Sequence, residues 1–502
     1  MNTTLNEFLQ GRPDRDYSLA GDESKRAVER GLADAEWFRP HVDPIRLVEL
    51  TERTNTRAIV DAAIWFVLLI ALGTAAVLSI GAWFAVPLFL AYGALYGGSA
   101  DARWHEYGHG TAARSDTVNT AVYYLSSFFL WRGPTLWRWS HFRHHSDTIV
   151  VGRDPEIQVP RPPTVRRFLL NYTNLVNGPR ALAQFARHAA GRVDPQTRDF
   201  VPEREVKKVV WEARVFLAIL AAVVAISIAM SSIVPLLLVG LPTIYGAWLM
   251  VFFGATQHLG LREDVLDHRA NSRTAYMNPV FRFLYLNMNY HIEHHMFPAV
   301  PYYRLPALHA EIRDALPEPN PSTWSAYREL VGEMWRQRRD PGEELEGRAI
   351  PDVPAATGQA INHAVGTAVA DGRFDLGALD DLAPGSMRSA EIDELDLVVA
   401  RSTAGDVYVL DGICTHGHAH LAHGALIDAC IECPKHNGRF DLATGAPLRR
   451  PVRIPLGTYD VAVSNGRIIT TLALQRPRDA HETDGHETSG HETGRSRGAA
   501  ST

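Results

Sequence analysis

Charged positions vanish from the chain twice, for long stretches. Between Asp61 and Asp101 lie 39 residues without Asp, Glu, Lys or Arg, and Val215 to Leu261 gives 47 more. A membrane-crossing helix needs roughly 20 apolar residues, so each stretch predicts a helical hairpin. The first predicts helices at about 59–78 and 81–99, turning near Ser79, Ile80 and Gly81; the second turns near Ser231 and Ser232. Two buried helices of a soluble domain share this composition, but uncharged runs so long are unusual there. A third apolar segment, Thr117 to Trp131, has only 15 residues. That is short for a span and predicts an interfacial or re-entrant segment. Residues 322–338, STWSAYRELVGEMWRQR, have the period of an amphipathic helix. Beyond about residue 363 the pattern changes to short runs such as LDLVVARS, DVYVLDG, YDVAVSNG and RIITTLAL, separated by Gly, Asp and Asn. This is an all-β pattern.

The resulting organisation is multi-domain. Residues 1–56 form a charged, mixed lead-in with one or two short helices, in which AEWFRP (35–40) is expected at the membrane surface. Residues 57–337 form an all-α domain with four transmembrane helices and a cytosolic cap, and 338–362, rich in Pro, Gly and acid, a linker. Residues 363–475 form a small all-β domain. Residues 476–502 contain HETDG-HETSG-HETGR and read as a disordered tail. His481, His486 and His491 fit a solvated repeat better than a metal site.

Net charge is −6, which implies no nucleic-acid footprint. The three cysteines, Cys414, Cys430 and Cys433, are no disulfide framework and fit a reducing compartment. The first residues lack the apolar core of a signal peptide. Arginine and lysine gather around the hairpins, at Arg103, Arg132, Arg138, Arg143, Arg153, Arg166, Arg167, Lys207 and Lys208. By the positive-inside rule these segments face the cytoplasm. An even number of spans then puts both termini there too, in a multi-pass protein of the inner membrane. Trp131, Trp137 and Trp139 fit either an interfacial belt or the aromatic core of the cap.

Three histidine boxes stand in these cytoplasmic segments: His105 and His109 in WHEYGHG, His141, His144 and His145 in SHFRHHSDT, and His291, His294 and His295 in NMNYHIEHHMFP. Residues three and four apart share a helix face, so each box aims at least two imidazoles one way. Neutral imidazole suits iron, zinc, copper and nickel. These eight histidines exceed one metal's needs and suit two. Surface histidines also cluster by chance, but three boxes beside apolar hairpins are a poor fit to chance.

Over roughly residues 35–320 the boxes resemble those of integral-membrane fatty acid desaturases and hydroxylases. The resemblance implies a non-haem diiron centre and one further ligand on the last membrane helix, where His258 stands in ATQHLG. That makes nine ligands. The runs QHLGLREDVLDHR and YMNPVFRFLYLNMNYHIEHHMFP are similar to a bacterial branch that includes rhizopine-catabolism oxygenases, which warns against reading a fatty-acid substrate off the boxes. Carboxylates that could hold the outer ring nitrogens are Glu106, Asp147, Asp154, Glu156, Asp264 and Glu293. Each could equally be an ordinary surface carboxylate.

The β domain carries a second motif. Cys414, Thr415 and His416 are followed after 16 residues by Cys433, Pro434, Lys435 and His436. This C-x-H…C-x-x-H pattern resembles the Rieske [2Fe–2S] site, in which two thiolates hold one iron and two imidazoles the other. A Cys₂His₂ zinc site is the rival, but CTHGHAHLAHG and CPKHNGRFDLATG are similar to the words of Rieske ferredoxins. The extra disulfide of some Rieske proteins would fall at Ala419 and Lys435, so the simpler ferredoxin type is implied. Cys430 is expected to be a small buried residue, and His418, His420 and His423 loop residues.

Together these features predict an O₂-dependent diiron oxidoreductase fed by its own Rieske domain. A fatty-acyl or lipid desaturase is expected first. The alternative is a hydroxylase of a small molecule or carrier-bound acyl group. A non-enzymatic membrane electron carrier would explain the Rieske motif but not nine converging histidines. A ring-hydroxylating oxygenase would need a domain after the cluster, and only 66 residues follow His436. No dinucleotide-binding fingerprint follows a strand, which predicts a separate NAD(P)H-dependent ferredoxin reductase.

Overall fold

The computed structural model describes residues 15–475, except 20, 34–36, 159–160, 162–164, 341–347, 355–363, 370–371, 394, 417–418, 428, 435–437 and 450–451. The repeat tail with His481, His486 and His491, much of the linker, and His418, Lys435 and His436 therefore lie outside the described residues.

Two short helices, α1 (Asp22–Glu29) and α2 (Pro44–Thr51), precede the first hairpin. That hairpin is α3 (Asn55–Leu78), a turn over 79–84, and α4 (Ala85–Gly93). After α4 the rod does not stop. It passes through one π-helical turn, Ala94–Gly98, into α5 (Ser99–His109), so a single rod carries the first histidine box. Gly110, at φ +68°, ends α5 in the left-handed conformation that glycine adopts without strain. Ser115 caps α6 (Asp116–Leu130) through the Val118 amide, and Pro134 opens α7 (Pro134–Ser146), which carries the second box.

The second apolar stretch departs from the expected hairpin. Its first arm is one helix, α8 (Glu203–Ala229). Its second arm is broken into Val234–Leu238, Pro242–Tyr245 and α9 (Ala247–His258). Gly240 at φ +97° and Pro242 interrupt the helical ladder. Gly246 then lets this arm press on α4: a Cβ there would sit 1.9 Å from the Gly93 carbonyl oxygen. Close approach of small residues is how apolar helices pack without a hydrophobic drive between them.

Among the described residues, two helical stretches are long and apolar enough to cross a membrane: Arg46–Leu78, of 33 residues and running from α2 through α3, and Glu203–Ala229, of 27, each with mean hydropathy 2.2. Their outer faces expose large apolar side chains, with Leu78 82% and Ile228 73% accessible.

Other expectations need correcting. The segment 117–131 is one helix, α6, packed on the rest of the helical domain along one face: it buries Asn119, Tyr123, Ser126 and Ser127, and the Tyr123 hydroxyl donates to Pro134 O at 2.6 Å. Trp131 packs with Phe128, Phe185 and Phe216, and Trp139 with Leu136 and Phe142, so both belong to the helical core. Arg103 is not a loop charge. It is buried, donating to Ser99 Oγ at 2.5 Å and Leu284 O at 3.1 Å, because its position on α5 turns it inward. The lead-in is strapped down: Arg15 donates to Glu263 at 3.0 Å, and Phe38 packs under Arg269 at 3.4 Å. Within AEWFRP, Trp37 stacks on His268. The amphipathic helix is present as α11 (Thr323–Arg339), numbered after the third-box helix α10 (His291–Met296). Within the linker, Arg348 pairs with Glu329 at 2.9 Å and Pro351 O accepts from Arg269 at 3.0 Å.

The C-terminal part is all β. One sheet runs β1-β4-β5-β6-β11-β12-β3-β2, with β1 Ala364–Val365, β2 Thr367–Ala368, β3 Arg373–Ala378, β4 Ser386–Ile392, β5 Leu395–Arg401, β6 Val407–Asp411, β11 Thr458–Ser464 and β12 Arg467–Gln475. The small sheet runs β10-β9-β8-β7, with β7 Ala425–Ile427, β8 Cys430–Glu432, β9 Arg439–Asp441 and β10 Pro447–Arg449. Cys414 and Cys433 sit in its core with Ile431 and Phe440. Cys430, the first residue of the inner strand β8, is only half-buried, contrary to the buried position expected.

Replacing Gly246 by Ala should destabilise the hairpin packing by roughly 1–3 kcal/mol or more, the range for overpacking. The midpoint of thermal unfolding in detergent measures this; an unchanged midpoint would show that the helices can part at no cost.

Candidate metal centre

Four helix ends supply the histidines. The last turn of α5 brings His105 and His109, and α7 brings His141, His144 and His145. His258 is the last residue of α9, and the short α10 brings His291, His294 and His295. All nine are buried. They divide into two sets that cut across the boxes. His105, His109, His141, His145 and His294 form one, and His144, His258, His291 and His295 the other, with ligand atoms in each set within 4.8 Å of one another.

The nitrogens fit two metal ions. His109 Nε2 lies 3.0 Å from His141 Nε2, and His145 Nε2 lies 3.2 Å from His294 Nε2. In the other set His291 Nε2 lies 2.9 Å from His258 Nε2 and 3.1 Å from His295 Nε2. Metal–imidazole bonds of about 2.0–2.1 Å at right angles place neighbouring ligand nitrogens about 3 Å apart. His105 Nε2 is buried with no protein partner.

Five outer nitrogens are held from behind, as ligating imidazoles require, while Nδ1 of His109, His145, His291 and His294 has no hydrogen-bond partner among the described residues. His144 Nδ1 lies 2.8 Å from Asp154, His141 Nδ1 3.1 Å from Glu156, and His105 Nδ1 3.2 Å from Glu106. Glu106 also stands 3.6 Å from His294 Nδ1, beyond hydrogen-bond reach. The other three carboxylates are engaged elsewhere. Asp147 accepts from Arg143 and Arg153, and Asp264 accepts from Arg15, Arg30 and the Val151 amide. Glu293 accepts from Thr274 at 2.6 Å and His309 at 2.5 Å. For Glu293 the contact follows from its helix face: α10 turns it away from the side on which His294 joins one set and His291 and His295 the other.

Burial, reinforced by neighbouring imidazoles, holds His105, His109, His141, His145, His291, His294 and His295 well below the usual histidine range. They are neutral, the form that binds metal. Burial also lowers His144, but the Asp154 carboxylate outweighs it and raises the group to about 9. Burial pushes Glu106 up to about 8 and Glu156 up to about 7.

Three supporting groups had no motif to mark them. His258 Nδ1 lies 2.9 Å from the backbone oxygen of Asn271, and His295 Nδ1 lies 3.3 Å from Thr148 Oγ1. His268 stacks on Trp37 with centroids 4.1 Å apart and lies 4.9 Å from the His295 ring.

A cavity of about 330 Å³ opens onto both sets, touching His105 and His141 of one and His144, His258 and His291 of the other. Phe168, Met250 and Val251 form an apolar side, and Asp101, Arg132 and Glu156 a polar one.

In the β domain, Cys414 and Cys433 are buried and His416 stands two residues from Cys414. The buried thiols with a neighbouring imidazole fit a Rieske cluster, although His436 lies outside the described residues. His420 is a structural loop residue whose Nδ1 accepts from the Ala422 amide at 3.2 Å.

A family model described as fatty acid desaturase matches residues 81–327, and one described as Rieske [2Fe-2S] domain matches residues 372–460. The ferredoxin component of the naphthalene 1,2-dioxygenase/salicylate 5-hydroxylase systems of a Ralstonia species is 35% identical over 96 residues, 19% of this chain and 91% of that protein. The ferredoxin component of the naphthalene 1,2-dioxygenase system of Pseudomonas putida is 36% identical over 96 residues, again 19% and 91%. Among solved structures, the ferredoxin of carbazole 1,9a-dioxygenase from Nocardioides aromaticivorans IC177 is 34% identical, covering 22% of this chain and 98% of its own, with TM-score 0.19.

Fold and site define an oxygen-using oxidoreductase with iron cofactors. The chain belongs to the Rieske ferredoxin family through its C-terminal part, fused behind a fatty acid desaturase domain.

Asp154→Ala should weaken iron binding about 10–100-fold, the usual cost of losing such a partner. Glu311→Ala, which removes only an exposed ion pair with Arg46, should not. Iron retained after dialysis against a chelator measures both.

Proposed function

We propose that this chain is a membrane-bound oxidoreductase that oxidises an unactivated C–H bond with O₂. The observation that carries the reading is the division of nine buried histidines into sets of five and four around one cavity. His105, His109, His141, His145 and His294 would hold one iron, and His144, His258, His291 and His295 the other. Cys414, His416, Cys433 and His436 would hold the Rieske cluster. When reduced, an iron pair supplies O₂ activation and hydrogen-atom abstraction; the cluster supplies single electrons.

The protein's own groups orient and shelter this chemistry. Asp154, Glu156 and Glu106 fix ring orientation, which a metal ion alone does not. Trp104 packs against His141 with centroids 5.4 Å apart and helps to exclude water from that side. Arg132, paired with Asp101 at 2.6 Å and lying 4.3 Å over the Trp104 ring, closes the polar wall.

The exposed apolar faces of α3 and α8 support insertion in the inner membrane, since surfaces of that kind are rare on soluble monomers. Each apolar stretch, despite the breaks in its second arm, would enter and return. Both termini, the histidines and the Rieske domain would then share the cytoplasmic side.

For substrate, the apolar wall of Phe168, Met250 and Val251 suits an acyl chain or lipid, and desaturation is the first reading. One observation favours a second. Asp101, Arg132 and Glu156 border the same cavity, whose volume of about 330 Å³ lies in the range of small-molecule sites. Methylenes seated there would desolvate charge at a cost. Hydroxylation of a small polar molecule or carrier-bound acyl group meets that wall better.

Cells making this protein with a ferredoxin reductase should accumulate a product absent from a His294→Ala control, read by mass spectrometry of lipids and polar metabolites. Acyl chains lighter by two hydrogens establish the desaturase. A polar species heavier by one oxygen establishes the hydroxylase. Identical profiles would sink both. Purified protein should not consume NADH until a reductase is added.

A further inference from the structure

The Rieske domain rests on the helical domain with its cysteine loops turned toward the histidine boxes. The His416 ring lies 6.0 Å from the Trp139 ring, and Trp139 stands on α7 two residues before His141. Beside Cys433, the Pro434 carbonyl accepts from Arg39 at 3.3 Å. Arg449 on β10 donates to the carbonyl oxygen of His109, the last residue of α5. Arg453 pairs with Glu205 at the start of α8. The most enclosed contact is Arg53 to Glu432, at 2.5 Å, with both side chains buried. Glu432 also accepts from Arg439 at 2.7 Å within its own domain.

This is not a surface ion pair. Breaking a buried pair by removing one partner leaves an uncompensated charge, so such a contact specifies geometry even where it adds little stability. It sits between the residue before α3 and the strand that leads into Cys433. Its geometry therefore sets where the cluster loops point.

We propose that Trp139 is the contact through which the fused Rieske domain passes electrons to the histidine centre, and that Arg53 and Glu432 lock the domain in the orientation that makes this contact. The proposal rests on the reading of both iron sites given above. In each pass, a cluster reduced by a NAD(P)H-linked ferredoxin reductase loses one electron and the diiron centre gains it. Two passes supply the two electrons that O₂ takes beyond those of the oxidised C–H bond. Trp139 is a positioning residue: it touches His416 and touches no substrate.

The test uses the full-length holoprotein in detergent, reduced at the cluster and mixed with O₂. The decay of the Rieske electron paramagnetic resonance signal gives the transfer rate. Trp139→Leu should slow that decay by about tenfold or more, since small misplacements between reacting groups cost rate steeply. Trp139→Phe should restore most of it. In both variants the shape of the cluster signal and the iron content should match the wild type. Arg53→Met should also slow the decay, and should raise hydrogen exchange over residues 430–434, where Trp139→Leu should not. Wild-type decay in Trp139→Leu, with normal signals, overturns the proposal alone. So does slow decay accompanied by the raised exchange of Arg53→Met, because Trp139 would then only pack the interface. A wild-type protein lacking the Rieske signal overturns the site reading, and the proposal with it.

Discussion

The structure depends on neutral imidazoles being crowded together. Ring nitrogens from different helices stand 2.9 to 3.2 Å apart, in a region where the histidines are all buried. Rings with no carboxylate behind them cannot share that space protonated, since each would be stripped of water and face like charge; His144, raised by Asp154, is the exception. What stabilises the arrangement is a cation at the centre and acceptors behind. The helices serve this need. α5, α7 and α9 each present histidines in their last turn, and α10 is little more than a platform for three of them.

The clustering of the histidines was legible because helical spacing writes it into the sequence. A pair at i and i+4, or a triplet at i, i+3 and i+4, shows its common face without any structure. The division into five and four was not legible. His144 and His145 are neighbours in sequence and belong to different sets, as do His294 and His295. A helix turns about 100° per residue, so adjacent ligands diverge. Nor could sequence separate Asp154, which faces His144, from Asp147, which faces two arginines. Both lie within a few residues of a box, and only the turn over 147–154 distinguishes them. The backbone oxygen of Asn271 was invisible for a plainer reason: every residue has one.

The fold was legible where a single physical demand dominates. Two uncharged stretches demanded apolar surroundings, and alternating β runs demanded sheets. It was less legible where several demands meet. The second arm of the second hairpin is broken because Gly240, Pro242 and Gly246 trade helix continuity for close approach to α4. The lead-in looked soluble because it is charged, yet its charges are spent on internal partners such as Glu263 and Asp264.

The interface between the domains bears on topology independently of any count of arginines. Apart from Arg39 in the lead-in, its contacts on the helical side include Arg53 just before α3, the His109 carbonyl at the end of α5, Trp139 on α7 and Glu205 at the start of α8. Each belongs to the base of a hairpin or to the cap between the hairpins, and none to the turns over 79–84 or 230–233. A domain seated on that base must lie on the same side as the histidines, whichever side of a membrane that is. Its seat also changes what the linker does. Arg348 and Pro351 are held against Glu329 and Arg269, so the chain between the domains is pinned partway along. A free tether would raise the donor's effective concentration and leave its orientation to chance. Pinning the tether and burying Glu432 against Arg53 fix the orientation as well, which a donor that must present one loop to one face requires.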